Sequence, residues 1–213
     1  MKNQASLVDI PFSKRRHCWF CGEPFSTLFS FPHQNHLVLD CPHPRLVVPS
    51  CSECNRFALS IKADSIWDVS SLVKKCLMKT YQKDLAIGLN WTQEELAESQ
   101  FEGGNFAGFQ KSAWFMYEVA KDRVNYMGYP LSYNGIELEV ERSKSSFNFD
   151  GINYPSVDDA ISHYSQAYGL NKRFFTDLIN KGGHARFSAA IRLCRIMVGA
   201  TPNEQREALL DFN

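Results

Sequence analysis

The sequence has no long apolar run; nowhere does it approach the roughly 18 apolar residues that a membrane-spanning helix requires. No apolar segment follows the opening Met1-Lys2-Asn3-Gln4, so a secretory leader is not expected. Net charge is also missing. Lys plus Arg and Asp plus Glu stand at 23 each, so no overall field draws the chain to a polyanion, and any basic surface must be local. There is no even disulfide framework either. The cysteines number seven, and four of them fall in close pairs, a usage that fits a reducing compartment. These absences predict a cytoplasmic protein with no membrane partner. What is present is a globular composition, 44% hydrophobic and 13% aromatic over 213 residues, enough to bury a core.

The close pairs are Cys18-Trp19-Phe20-Cys21-Gly22 and Cys51-Ser52-Glu53-Cys54-Asn55. Two C-x-x-C pairs predict one tetrahedral site with Cys18, Cys21, Cys51 and Cys54 as ligands. Zinc is the expected ion, because it accepts soft thiolates and needs no redox partner. Gly22 permits the tight reversal of a knuckle. Between the pairs lie short β-like runs, Phe25–Phe31, Leu37-Val38-Leu39 and Leu46-Val47-Val48. The last two are separated by a turn at Asp40-Cys41-Pro42-His43-Pro44. The second pair falls at the expected start of a helix.

Knuckle, hairpin and helix in that order resemble the treble-clef finger of the ββα-metal, or HNH, nucleases. The resemblance rests on the four cysteines, on Leu37-Val38-Leu39-Asp40-Cys41-Pro42 and on Cys51-Ser52-Glu53-Cys54-Asn55-Arg56, about residues 18–58. It implies a structural zinc. In the family a general-base His follows the Asp; here Cys41 stands in that place, and a free thiol near pKa 8.5 is a poor substitute. Hydrolysis would need a base from His33, His36 or His43, with Asp40 helping to hold a second divalent metal. The expectation is therefore a finger without nuclease activity, with an active HNH-type endonuclease as the alternative.

Downstream, Ile66, Val69, Leu72, Val73, Cys76, Leu77 and Tyr81 follow helical spacing behind Asp64 or Ser65 as cap, with Gly88 as the expected stop. Thr92-Gln93-Glu94-Glu95 is a capping box opening an acidic helix. After Gly103-Gly104, Asn105 should cap a long helix to Met127, with Phe106, Phe109, Ala113, Phe115, Met116, Val119, Ala120 and Val124 apolar. Asn134-Gly135 and Asp150-Gly151 predict hairpin turns. Ile136, Leu138 and Val140 alternate with glutamates as a strand, and Arg142–Ser146 is the expected linker. Ser156 and Asn171 should cap helices, and Thr201-Pro202-Asn203-Glu204 should start a last one.

Residues 147–181, an Asp-Gly hairpin followed by a helix, Gly-Leu-Asn and a second helix, resemble the helix-turn-helix modules appended to homing nucleases and found in phage regulators. In such modules the start of the second helix meets base edges. The resemblance therefore assigns Asn171, Lys172 and Arg173 to DNA, with Lys181 and Arg186 at phosphates. Lys14, Arg15 and Arg16 form a basic arm just before the first ligand.

The fold expected is α+β and predominantly helical: a finger over 1–60, a helical domain over 61–130, and hairpins with a helix-turn-helix-like module over 131–213. The function expected is a zinc-containing, DNA-binding regulator or accessory factor of phage or mobile-element type. The alternatives are the nuclease and a protein-binding adaptor that uses zinc as a staple only.

Overall fold

Proline has no N–H to give a sheet, so Pro49 restricts where its strand can sit. The computed structural model describes residues 6–33, 36, 38, 41–99, 106–138 and 146–212. In it, β1 (Ser6–Leu7), β2 (Thr27–Phe31) and β3 (Leu46–Ser50) form a sheet in the order β1-β3-β2. β2 runs antiparallel to β3 along its whole length, from Thr27 opposite Ser50 to Phe31 opposite Leu46. β1 runs parallel to β3 and pairs only with Leu46 and Val47. Pro49 thus lies past the end of β1, where β3 has no second neighbour needing its N–H. The hairpin partner of β3 is β2. Val38 lies in no strand, and Leu37 and Leu39 are outside the described residues.

The chain passes from β3 into α1 (Ser52–Ser60) across a single residue, Cys51, which caps the helix. α2 (Ile66–Thr80) is capped by Ser65, whose side chain accepts from the Asp68 N–H. It buries Ile66, Val69, Val73 and Leu77, the apolar stripe expected from the spacing. The expected stop at Gly88 does not occur. The chain turns instead at Tyr81, and α3 (Gln82–Asn90) runs through Gly88. α4 (Gln93–Glu98) carries the full Thr92/Glu95 capping box. α5 (Phe106–Asn125) packs against α2, α3 and α4. Its expected cap, Asn105, and the preceding Gly103-Gly104 lie outside the described residues. Its buried side agrees with the expected one at Ala120 and Val124 and departs from it elsewhere: Tyr117 and Arg123 also face inward, while Phe115 and Met116 are exposed.

Gly88 explains part of that departure. A Cβ on Gly88 would run into the ring of Tyr117, so the glycine makes the slot that Tyr117 fills. Gly88→Ala removes the slot from a close-packed contact while gaining helix propensity. The expected net effect is a loss of about 1–2 kcal/mol, read as a lower denaturant midpoint at unchanged slope. An unchanged midpoint would mean that the ring has free room to move.

β4 (Ser132–Tyr133) and β5 (Ile136–Glu137) form the Asn-Gly hairpin, with Asn134 and Gly135 both at positive φ as a type I′ turn demands. The expected strand stops short: Leu138 lies outside β5, while residues 139–140 lie outside the described residues, as does the linker except for Ser146.

The chain divides into two compact units, Met1–Ser143 and Lys144–Asn213. In the second, β6 (Phe147–Phe149) and β7 (Ile152–Tyr154) pair across Asp150-Gly151. α6 (Val157–Tyr168) ends at Gly169 in the left-handed conformation, and Asn171 caps α7 (Lys172–Gly182). α8 (Phe187–Ile196) and α9 (Pro202–Asp211) follow, the latter with a Thr201/Glu204 capping box. The core of this unit centres on the fully buried Phe187, whose ring meets those of Phe147, Phe149, Tyr164 and Phe175.

Candidate metal centre

Cys18 and Cys21 lie on a reversal closed by two backbone bonds, Gly22 N–H to the Cys18 carbonyl (2.9 Å) and Cys18 N–H to the Glu23 carbonyl (2.6 Å). Gly22 holds φ +77, and a Cβ there would come within 2.8 Å of the Tyr126 ring. The positive φ is the feature expected of a glycine after the second cysteine of a knuckle. Cys51 and Cys54 lie one helical turn apart at the start of α1. As the cap of that helix, the Cys51 Sγ accepts from the Cys54 N–H at 3.4 Å. The partial positive charge of a helix N-terminus favours a thiolate there.

These two local structures bring the four sulfurs within 4.8 Å of one another, and all four residues are buried. The Cys21 and Cys51 sulfurs are 3.8 Å apart, well beyond a disulfide bond. They match the roughly 3.8 Å edge of a tetrahedron built on Zn–S bonds of about 2.3 Å. All the cysteines are free thiols. Among the described residues no second convergence of His, Cys, Asp or Glu ligands occurs; Asp40 is outside them.

The electrostatics of the cluster also favour a cation. Sulfur–hydrogen donation from Cys18, Cys21 and Cys54 holds the Cys51 thiol far below its ordinary value, and contact with Cys21 brings Cys18 down to about 7. The donors, Cys54 and Cys21, are pushed strongly upward, in both cases first by Cys18. Four crowded, buried thiols cannot all ionise together without a countercharge, and a bound dication supplies it. The donor set, its spacing and its burial therefore suit one metal ion of the zinc type.

Three residues absent from the sequence-level assignment border the cluster. Arg123 of α5 directs Nη2 at the Cys21 Sγ (3.7 Å) and at Glu53 Oε2 (2.6 Å). Its Nη1 donates to the Tyr81 hydroxyl, which in turn donates to Glu53 Oε2 at 2.9 Å. Burial alone would lower the arginine pKa; Glu53 and the Cys21 sulfur outweigh it, and the net direction is up. A signal existed for this group: Arg123 lies three residues after Ala120 on a helix stripe that otherwise buries apolar side chains.

The histidines sit differently from one another. His43 is buried; its Nε2 accepts from the Ile66 N–H at the start of α2 (2.9 Å), and its Nδ1 bonds the Pro44 carbonyl (2.8 Å). Burial lowers its pKa. The Cys41 Sγ donates to the His43 carbonyl at 3.1 Å. His36 meets the Phe31 ring edge-on, and its N–H bonds the His33 carbonyl.

The assigned cations also divide. Arg15 lies over the exposed Phe12 ring, Lys14 lies near the Tyr126 ring, and Arg16 is exposed. Lys172 and Arg173 are exposed at the start of α7. Asn171 spends its side-chain oxygen on the Phe174 N–H and donates its amide to Gln205. Lys181 donates to the Leu209 and Leu210 carbonyls at the end of α9, and Arg186 lies over the Phe212 ring.

No helix among the described residues is long and apolar enough to cross a membrane. No protein-family model, curated protein or solved structure matches the chain.

Proposed function

We propose that this chain is a zinc-stapled nucleic-acid-binding protein: a treble-clef-like finger holds its N-terminal part together, and a helix-turn-helix-like pair, α6 and α7, meets DNA. The observation that carries the zinc part is the cluster of four buried sulfurs. Cys18, Cys21, Cys51 and Cys54 would hold the ion, which contributes charge and four Zn–S bonds as a staple.

The DNA part is supported by the connection at 169–171. Its left-handed Gly169 and capping Asn171 leave Lys172 and Arg173 exposed on the first turn of α7. That is where a recognition helix places base-reading residues. Lys181 and Arg186 are held by α9 and Phe212, so they contribute less. Gel-shift titration from about 50 to 200 mM salt tests this reading, because phosphate neutralisation makes affinity fall steeply with salt. The double change Lys172→Ala and Arg173→Ala should weaken binding by about 1–3 kcal/mol and flatten the salt slope, while Lys181→Ala changes it little. Absence of any salt-sensitive complex would refute DNA binding.

The hydrolytic alternative loses one candidate base. His43 already accepts an N–H at Nε2 and bonds a carbonyl at Nδ1, so neither nitrogen is left to deprotonate a water. Magnesium- or manganese-dependent plasmid nicking that survives His43→Ala and disappears with His33→Ala or His36→Ala would restore it.

The adaptor reading has its own observation. A groove between α4 and α5, lined by Leu96, Ala97, Gln110, Trp114 and Phe115, leaves Phe115 61% exposed. Exposed aromatics of that size are common at protein-binding surfaces.

A further inference from the structure

An arginine buried to 7% exposure is costly unless it is paired, and the pairing shows what the residue is for. Arg123 lies on α5, 102 residues from Cys21 and 70 from Glu53, yet its Nη2 bonds to both. Glu53 stands inside the second C-x-x-C pair, between Cys51 and Cys54. One side chain therefore touches both halves of the metal centre, the knuckle through the Cys21 sulfur and the helix-borne pair through Glu53. Tyr81, the residue after α2, fixes the geometry from a third side. It accepts from Nη1, donates to the carboxylate and lies under the guanidinium, 4.7 Å from Arg123 Cζ to its ring centre. The Arg123 Nε–H is buried with no acceptor, so the guanidinium has donor capacity still unused.

Four thiolates and one dication leave an excess of negative charge in a buried site. Donors aimed at the sulfurs spread that charge and orient the ligands, and outer-sphere groups of this kind are a large part of what a protein contributes to a metal site. We propose that Arg123 is the outer-sphere positioning residue of the cysteine site. It orients Cys21 by an N–H···S bond, is held in place by Glu53 and Tyr81, and ties metal binding to the docking of α5. This inference rests on the zinc reading given above. It makes α5 part of the metal centre, so that loss of the ion loosens the helix and loss of the arginine loosens the ion.

The test uses the full chain loaded with zinc, and separately with cobalt(II) as a spectroscopic probe. Competition against a chromophoric chelator should show Arg123→Met binding zinc about 10- to 100-fold more weakly than the wild type, with Arg123→Lys in between. A purely structural role for the arginine would leave the electronic state of the sulfurs alone. Removal of an N–H···S bond instead moves the sulfur-to-cobalt charge-transfer bands to lower energy. If Arg123→Met does not fold, Arg123→Lys carries the test: it keeps the charge, loses the second arm, and should still show weaker binding and shifted bands. Wild-type affinity with unmoved bands in the folded arginine variants overturns the inference and leaves the zinc site standing. A wild-type chain that takes up neither zinc nor cobalt overturns the site itself.

Discussion

Removing the metal, or replacing Cys54 by Ser, is expected to unfold the sheet of β1, β2 and β3 together with α1. The ground is the small size of what would remain. β1 spans two residues and β2 and β3 five each, too little sheet to stand without a staple. Cys18 and Cys54 are fully buried, and Cys21 and Cys51 nearly so. A serine at 54 would place a hydroxyl among three thiols and supply no soft ligand. Structural zinc contributes on the order of 10 kcal/mol to modules of this kind, more than the whole stability of many domains. Elemental analysis of freshly purified protein should give one zinc per chain. After chelation, amide exchange should accelerate across 27–31, 46–50 and 52–60. It should accelerate in α5 as well, if Arg123 couples the helix to the site. Purified protein that lacks metal and keeps slow exchange in β2 and β3 would exclude a structural ion.

Acidification below about pH 6.5 is expected to cost the second unit about 3 kcal/mol. The source is His163, a buried residue of α6 whose Nδ1 is hydrogen-bonded to the Tyr154 hydroxyl at 2.8 Å. Its ring also meets those of Tyr154 and Tyr164. Its Nε2 is buried with no partner, so a proton there would meet no acceptor. Burial lowers its pKa from 6.5 to about 4.

The sign follows from which state binds the proton more readily. Between about 4 and 6.5 the unfolded chain is protonated at His163 and the folded chain is not, so stability rises with pH across that window. The contribution is complete above 6.5, is lost as pH falls toward 4, and changes no further below it. Each tenfold difference in proton affinity is about 1.4 kcal/mol, which gives the stated loss. Acid also protonates the thiolates of the metal centre, so the readout must be local: amide exchange in α6, α7 and α8 of the full chain, measured from pH 4 to 7. His163→Gln keeps a hydrogen-bonding group for Tyr154 and does not titrate in this range, so it should flatten the profile. A wild-type slope in that variant would assign the acid sensitivity to another group.

Much of the local structure was legible from the sequence. Thr92, Ser156 and Asn171 cap helices as expected, Ser65 is the cap of the two candidates Asp64 and Ser65, and Thr201 opens the last helix, because a cap needs only a short polar side chain and an N–H two or three residues on. Asn134-Gly135 and Asp150-Gly151 turn their hairpins for an equally local reason, since both turns require positive φ. The clustering of the four cysteines was legible for the same kind of reason. A C-x-x-C pair brings its two sulfurs together through the chain between them, and two such pairs need only one encounter to make a site.

The misplacements have a common origin in contacts between residues far apart in the chain. Gly88 was expected to end a helix, because glycine does so when nothing else acts on it; the Tyr117 ring packed against it makes it a slot instead. Phe115 was expected in the core, but the inward side of α5 takes Tyr117 and Arg123 alongside the expected Ala120 and Val124. The parallel pairing of β1 with β3 has no local signature at all. Neither does the role of His43 as acceptor for the first N–H of α2, 23 residues away.

The sequence by itself determined the four sulfurs, the caps and the turns, since each depends on residues within a few positions of one another. Only the tertiary structure decided what surrounds the sulfurs. Arg123, Glu53 and Tyr81 come from three separate helical segments and meet beside Cys21 because α5 packs on α2 and α3 and carries Arg123 to the other two. A buried charge is tolerated only where such partners converge, and that convergence is a property of the folded chain.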